Sequence, residues 1–125
     1  MAENKDIKIT AGITYVNGGL ADTVAQETTN ITQAAQEFYA QTVSVGSGAE
    51  EDLTLTDITT NGFVYLKNLD PTNYVKYGPK SGGVMIEFGR LKAGERTVLR
   101  LASGVTWRWI ADTAAVKVLV KAYGN

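Results

Sequence analysis

Apolar and polar residues alternate along most of this chain in short runs, broken by Gly, Asn, Asp and Pro at about the 8 to 12 residue spacing of turns in sheet proteins. Successive side chains of a strand point to opposite faces, so a period of two marks a half-buried strand. Leu53 and Leu55 alternate with Thr54 and Thr56, and Asn61-Gly62, a tight-turn dipeptide, leads into Phe63-Val64-Tyr65-Leu66-Lys67. Leu69-Asp70-Pro71-Thr72-Asn73 reads as a turn, followed by a brief strand from Tyr74 to Tyr77. Gly78-Pro79-Lys80-Ser81-Gly82-Gly83 breaks any regular element and is expected as a surface loop leading into Val84-Met85-Ile86-Glu87-Phe88. After a turn near Lys92-Ala93-Gly94, Thr97, Leu99 and Leu101 are assigned to the core, with Arg96, Val98 and Arg100 on the other face. Val105 to Ile110 and Ala115 to Tyr123 supply the last two strands. In the final one Val116, Val118 and Val120 oppose Lys117, Leu119 and Lys121.

The first half reads less sharply. Ile7, Ile9, Ile13 and Tyr15 predict one or two strands before a turn at Asn17-Gly18-Gly19. Ile31, Ala34, Ala35 and Phe38 fall at the spacing of a helix face, with Asn30 as N-cap and Gln33 three residues later. A strand competes for the same segment, favoured by its many Thr residues. Both readings stand for Ile31 to Gln36, and a strand is expected from Phe38 onward. The total is about eight short strands without an internal repeat. That pattern is the one expected of an antiparallel sandwich, jelly roll or barrel, and an all-β fold, an antiparallel β-sandwich of jelly-roll-like type, is the first expectation. The chain is read as a single domain, 1-125, with residues 1-10 as an extended N-terminal arm.

Composition narrows the function more than the fold. The 125 residues are 44% hydrophobic and 20% charged, the profile of a chain that folds. Twelve basic and thirteen acidic residues give a net charge of -1, so no global positive field attracts phosphate backbones, and no nucleic acid partner is expected. No apolar stretch approaches the roughly 20 residues of a membrane span, and the charged start lacks the apolar run of a secretory signal. No membrane partner is expected, and synthesis and folding are expected in a cytoplasm. Cysteine and histidine are both absent. Their absence removes thiolate nucleophiles, Ser-His and Cys-His systems, disulfides and nearly every zinc site. A non-enzymatic protein is expected, with no catalytic residues, no cofactor and no metal.

A few constellations invite a functional reading. Glu50-Glu51-Asp52 gathers carboxylates of the kind hard cations bind, but matches no EF-hand spacing and is expected to be a solvated charge run. Trp107 and Trp109 share one strand face, where they can fill the core, anchor a subunit interface or stack on a sugar, in that order of expectation. Tyr65, Tyr74 and Tyr77 lie in sequence among Lys67, Lys76 and Lys80, and half-buried cross-strand tyrosines are the expectation there. The glycine-rich 78–83 segment lacks the ending and following helix of a phosphate loop. Trp107, Trp109, Tyr123, Tyr65 and Tyr77 are the interface candidates.

Several phrases carry a resemblance: Gly62-Phe63-Val64-Tyr65-Leu66-Lys67-Asn68-Leu69-Asp70, then Asn73-Tyr74-Val75 with Gly78, then Phe88-Gly89-Arg90-Leu91-Lys92-Ala93-Gly94-Glu95, and an alternating last strand from Ala115 to Ala122. From Asn61 to Tyr123 the chain resembles small bacteriophage virion structural proteins. The resemblance implies a head decoration, minor capsid, or neck and tail component, located in the virion and binding other virion proteins as a homo-oligomer. The alternative, from another class, is a carbohydrate- or receptor-binding module on the same sandwich, with exposed aromatics as a glycan platform.

Overall fold

A computed structural model of the chain describes residues 6–34 and 36–125, and every regular element among them is a β-strand. Among these residues there is no helix, and so none long and apolar enough to cross a membrane. Contacts divide the chain into two compact units, with the boundary between Gln36 and Glu37.

The first unit is an antiparallel hairpin of β1 (Asp6–Asn17) and β2 (Leu20–Thr32), closed by the two-residue turn Gly18-Gly19. Pairing runs from Asp6 opposite Thr32 to Ala11 opposite Glu27, and resumes from Ile13 opposite Val24 to Asn17 opposite Leu20. Gly12 therefore faces both Ala25 and Gln26, a β-bulge on β2. Partners across an antiparallel pair share a face. One face of the ribbon thus carries Ile7, Ile9, Ile13, Tyr15, Leu20, Val24 and Ile31. The other is mostly polar, with Lys8, Asn30, Thr14 and Thr23, and with Thr10 and Thr28 joined hydroxyl to hydroxyl at 2.9 Å. Residues 6 to 10 of the segment read as an arm are paired along β2, and residues 1 to 5 lie outside the described residues. Among the described residues of Ile31 to Gln36, from which 35 is excluded, the helical reading is overturned. β2 continues through Asn30 and Ile31 to Thr32, because Ile31 pairs with Ile7 and the β-branched run suits a ladder.

The second unit contains β3 (Phe38–Val45), β4 (Glu51–Asp52), β5 (Asn61–Asn68), β6 (Val75–Ser81), β7 (Val84–Met85), β8 (Gly89–Leu91), β9 (Arg96–Arg100), β10 (Trp107–Ala111) and β11 (Val116–Gly124). They form two antiparallel sheets, one in the order β3-β11-β5-β9, the other β4-β10-β6-β7 with β8 also on β6. Val64, Leu66, Val116, Val118, Val120 and Ala122 of the first sheet meet Val75, Tyr77, Leu91, Trp109 and Ala111 of the second in one buried cluster. Leu99 packs against it and Leu101 belongs to it, the core positions expected of that run.

Three local expectations are corrected. Leu53 to Thr56 is not a strand, although Leu53 and Leu55 do turn inward and pack on the core. Asn61-Gly62 is not a turn but the start of β5, where the backbone of Tyr123 passes so close that a side chain on Gly62 would lie 2.5 Å from its carbonyl oxygen. Gly78 to Ser81 is not a loop but the second half of β6, an interior strand. Between the pairs Lys80–Met85 and Tyr77–Gly89, β6 advances three residues and its partner four, so Ile86 to Phe88 contains a bulge. Pro79, which has no N–H to donate, sits at that bulge and accepts from Ile86 N–H at 2.8 Å. Gly78 permits the approach, since a Cβ there would lie 1.8 Å from Ile86 O. Gly82 and Gly83, at φ 62° and 85°, then make the type I′ turn into β7.

Candidate interaction surface

The strand register assembles a surface that no single segment contains. On the outward side of the β3-β11-β5-β9 sheet, Phe38, Tyr123, Phe63 and Arg100 lie in one row across the four strands. The next row is Ala40, Lys121, Tyr65 and Val98, and the third is Thr42, Leu119, Lys67 and Arg96. Lys117 continues the β11 column beside Ser44. Five cations and four aromatic rings therefore share this face, and no Asp or Glu stands at any of its positions. Phe38, 55% exposed, stacks tilted on Tyr123 with ring centres 5.5 Å apart, and the Arg100 guanidinium lies 4.3 Å from the centre of the Phe63 ring.

On the outward side of the other sheet the arginines are paired with carboxylates. Arg108 on β10 binds Asp52 at 2.9 Å and Glu50 at 3.1 Å and also donates to Gly83 O at 2.9 Å. Asp52, then Glu50, raise the pKa of its guanidinium above the ordinary value. Arg90 pairs with Glu87, whose carboxyl pKa is lowered by that hydrogen bond. The acidic run Glu50-Glu51-Asp52 thus clamps an arginine across two strands. Among the described residues no group of three or more Asp, Glu, His or Cys is placed to hold a metal ion. On the cationic face, by contrast, Lys67, Arg96, Arg100, Lys117 and Lys121 form no salt bridge among the described residues.

The five interface candidates separate. Tyr65 and Tyr123 stand on the cationic face, half-buried between neighbouring strands. Trp109, 3% exposed, and Tyr77 oppose each other across β10 and β6 inside the core, so their rings present no surface. Trp107 is half-buried, with the Phe88 ring set edgewise 5.9 Å from it. It borders an open pocket of about 240 Å³ with Leu53, Leu55, Asn61, Leu101 and Asp52. Neither indole N–H meets an acceptor among the described residues. The tyrosine and lysine grouping disperses: Tyr74 lies under the Arg90 guanidinium, Tyr77 is core, and Lys76 faces outward on the opposite sheet from Lys67.

Phe38, Phe63, Lys67, Arg96, Arg100, Lys117 and Lys121 are the surface residues that sequence reasoning left unassembled. The cations were visible as polar positions of alternating runs, whereas Phe38 read as part of a helix face or the start of a strand and Phe63 as the first residue of an apolar run, and only pairing brings β3, β11, β5 and β9 side by side. The arrangement suits a partner that is apolar in part and negatively charged in part. Comparison with protein-family models, with curated proteins and with solved structures finds no match, so function is argued from this geometry and the sequence.

Proposed function

We propose that this chain is a non-enzymatic structural component of a phage virion, a capsid decoration or minor capsid protein that acts through protein-protein contacts. The observation that carries the reading is the hairpin. A two-stranded ribbon is at best marginally stable alone in water. This one exposes its apolar side chains: Ile13 is 65% exposed, Leu20 66%, Val24 53% and Tyr15 45%. Apolar surface concentrated on one face of such a ribbon is what a partner would bury.

The finer fold reading belongs with this proposal. Counted within the second unit, with β7 and β8 as one bulged strand, the nine strands become eight, and the sheets run 1-8-3-6 and 2-7-4-5. That interleaving supports a jelly-roll sandwich, an architecture used by viral capsid and lectin domains alike. Mass spectrometry of purified particles from the source of this sequence is expected to find the chain in fixed ratio to the shell protein. Particles of full composition that lack it would sink the virion role.

The pocket beside Trp107 favours a second reading, a carbohydrate- or receptor-binding module, because an indole, Asp52 and Asn61 line one concavity. Its 240 Å³ falls just below the roughly 300 Å³ at which small-molecule sites begin. Glycan-array binding that disappears in Trp107→Ala would promote that reading over the first.

A further inference from the structure

The apolar face of the ribbon and the cationic face of the β3-β11-β5-β9 sheet match in charge and in spacing. Asp22 and Glu27 are five residues apart on β2, and in an uninterrupted strand an odd separation puts side chains on opposite faces. The bulge at Ala25 and Gln26 changes this, leaving Asp22 opposite Tyr15 and Glu27 opposite Ala11, both on the apolar face. Ala11 and Tyr15 are four residues apart, so the two carboxylates project about 13 Å from one another at ~3.3 Å per residue. Lys117 and Lys121 on β11 are also four residues apart, with Leu119 between them, and share its outward face. Along β2 the apolar face reads Leu20, Asp22, Val24, Glu27. Read backwards, β11 offers Tyr123, Lys121, Leu119, Lys117.

We infer that the hairpin of one copy lies on the β3-β11-β5-β9 face of a second copy, with Asp22 on Lys121 and Glu27 on Lys117. Leu20 then packs on Tyr123 and Val24 on Leu119. Tyr15, opposite Asp22, extends the contact toward the row of Ala40 and Tyr65, and Ile13, opposite Val24, toward the row of Thr42 and Lys67. This contact joins two different patches and therefore propagates from copy to copy, closing into a ring or running on as a filament. The inference rests on the assembly reading above and assigns its surface. Five cations among aromatic rings are also the chemistry of a single-stranded nucleic acid platform. The ribbon is favoured because the chain itself supplies the complementary ligand, at the matching repeat.

The test is sedimentation of the full chain over a range of concentrations, beside binding of a labelled oligothymidylate. The chain is expected to self-associate. Lys117→Glu with Lys121→Glu is expected to weaken association by more than about tenfold, because like charges then face each other. Asp22→Lys with Glu27→Lys is expected to do the same, and the four changes together are expected to restore association. Circular dichroism of each variant confirms that these exposed changes leave the fold intact. Association unaffected by Lys117→Glu with Lys121→Glu overturns the assigned surface while leaving the assembly reading standing. A chain monomeric at every concentration overturns the contact, and oligothymidylate binding that depends on Lys117 and Lys121 would reassign the face to nucleic acid.

Discussion

Asn68 shows how much one side chain can organise. It is fully buried, and its amide Nδ2 donates to Asn73 O and Leu91 O, both at 2.9 Å, while Oδ1 accepts from Asp70 N–H at 2.8 Å. The residue joins the end of β5, the following turn and the end of β8. Asn68→Leu leaves the buried Leu91 carbonyl without this partner, at about 1–3 kcal/mol, and forces a larger side chain into a packed site. Thermal unfolding is expected at a markedly lower temperature, and an unchanged midpoint would contradict the network. Gly78→Ala puts a methyl group against Ile86 O, a backbone atom that cannot swing aside, so a loss of about 1–3 kcal/mol or more is expected in denaturant titration. Asp70 accepts from the N–H groups of Asn73 and Thr72, and these bonds lower its pKa. Its contribution is therefore complete above the unfolded aspartate value of about 4 and is lost as pH falls through the lower folded value. Asp70→Asn keeps an acceptor without the charge, so its melting temperature is expected to fall less steeply than the parent's below about pH 4.

At the scale of elements, β11 and the hairpin stand at opposite extremes. β11 is paired on both sides, by β3 and β5, and alternates strictly between buried valines and an outward cationic column. The hairpin has one pairing only and buries little, every residue from Thr10 to Asn30 being exposed. Local opening free energies follow such differences. Amides of β11 are expected to exchange with deuterium slowly, and those of Ile13 to Val24 quickly in the dilute monomer. Assembly is expected to slow the hairpin amides. Equal exchange in dilute and assembled states would remove the hairpin from the interface.

At the scale of the whole molecule, a net charge of -1 conceals a strongly uneven distribution. One sheet face pairs its arginines with carboxylates, and the other carries five cations that form no salt bridge among the described residues. Exposed charge pairs between copies are screened by salt, since the Debye length shrinks from about 10 Å at 0.1 M to about 3 Å at 1 M. Self-association through the cationic face is therefore expected to weaken as salt is raised in sedimentation runs. Indifference to salt would point to a purely apolar contact.

The sequence by itself determined the all-β class, the opposition of Val116, Val118 and Val120 to Lys117, Leu119 and Lys121 in the last strand, and a turn at Asn17-Gly18-Gly19, of which Asn17 proves to end β1. These depend on the two-residue period of a strand and on local turn chemistry, which any segment displays alone. The tertiary structure decided that Gly78-Pro79 belongs to an interior strand, because a bulge in the partner supplies the room and the missing donor is not required there. It also decided that Asp22 and Glu27 share a face, through a bulge that leaves no mark in residue type. Above all, it decided which columns stand beside one another. Rows such as Phe38, Tyr123 and Phe63 arise from hydrogen-bonded pairing between segments far apart in the chain, and pairing register depends on all the strands packing on one core at once.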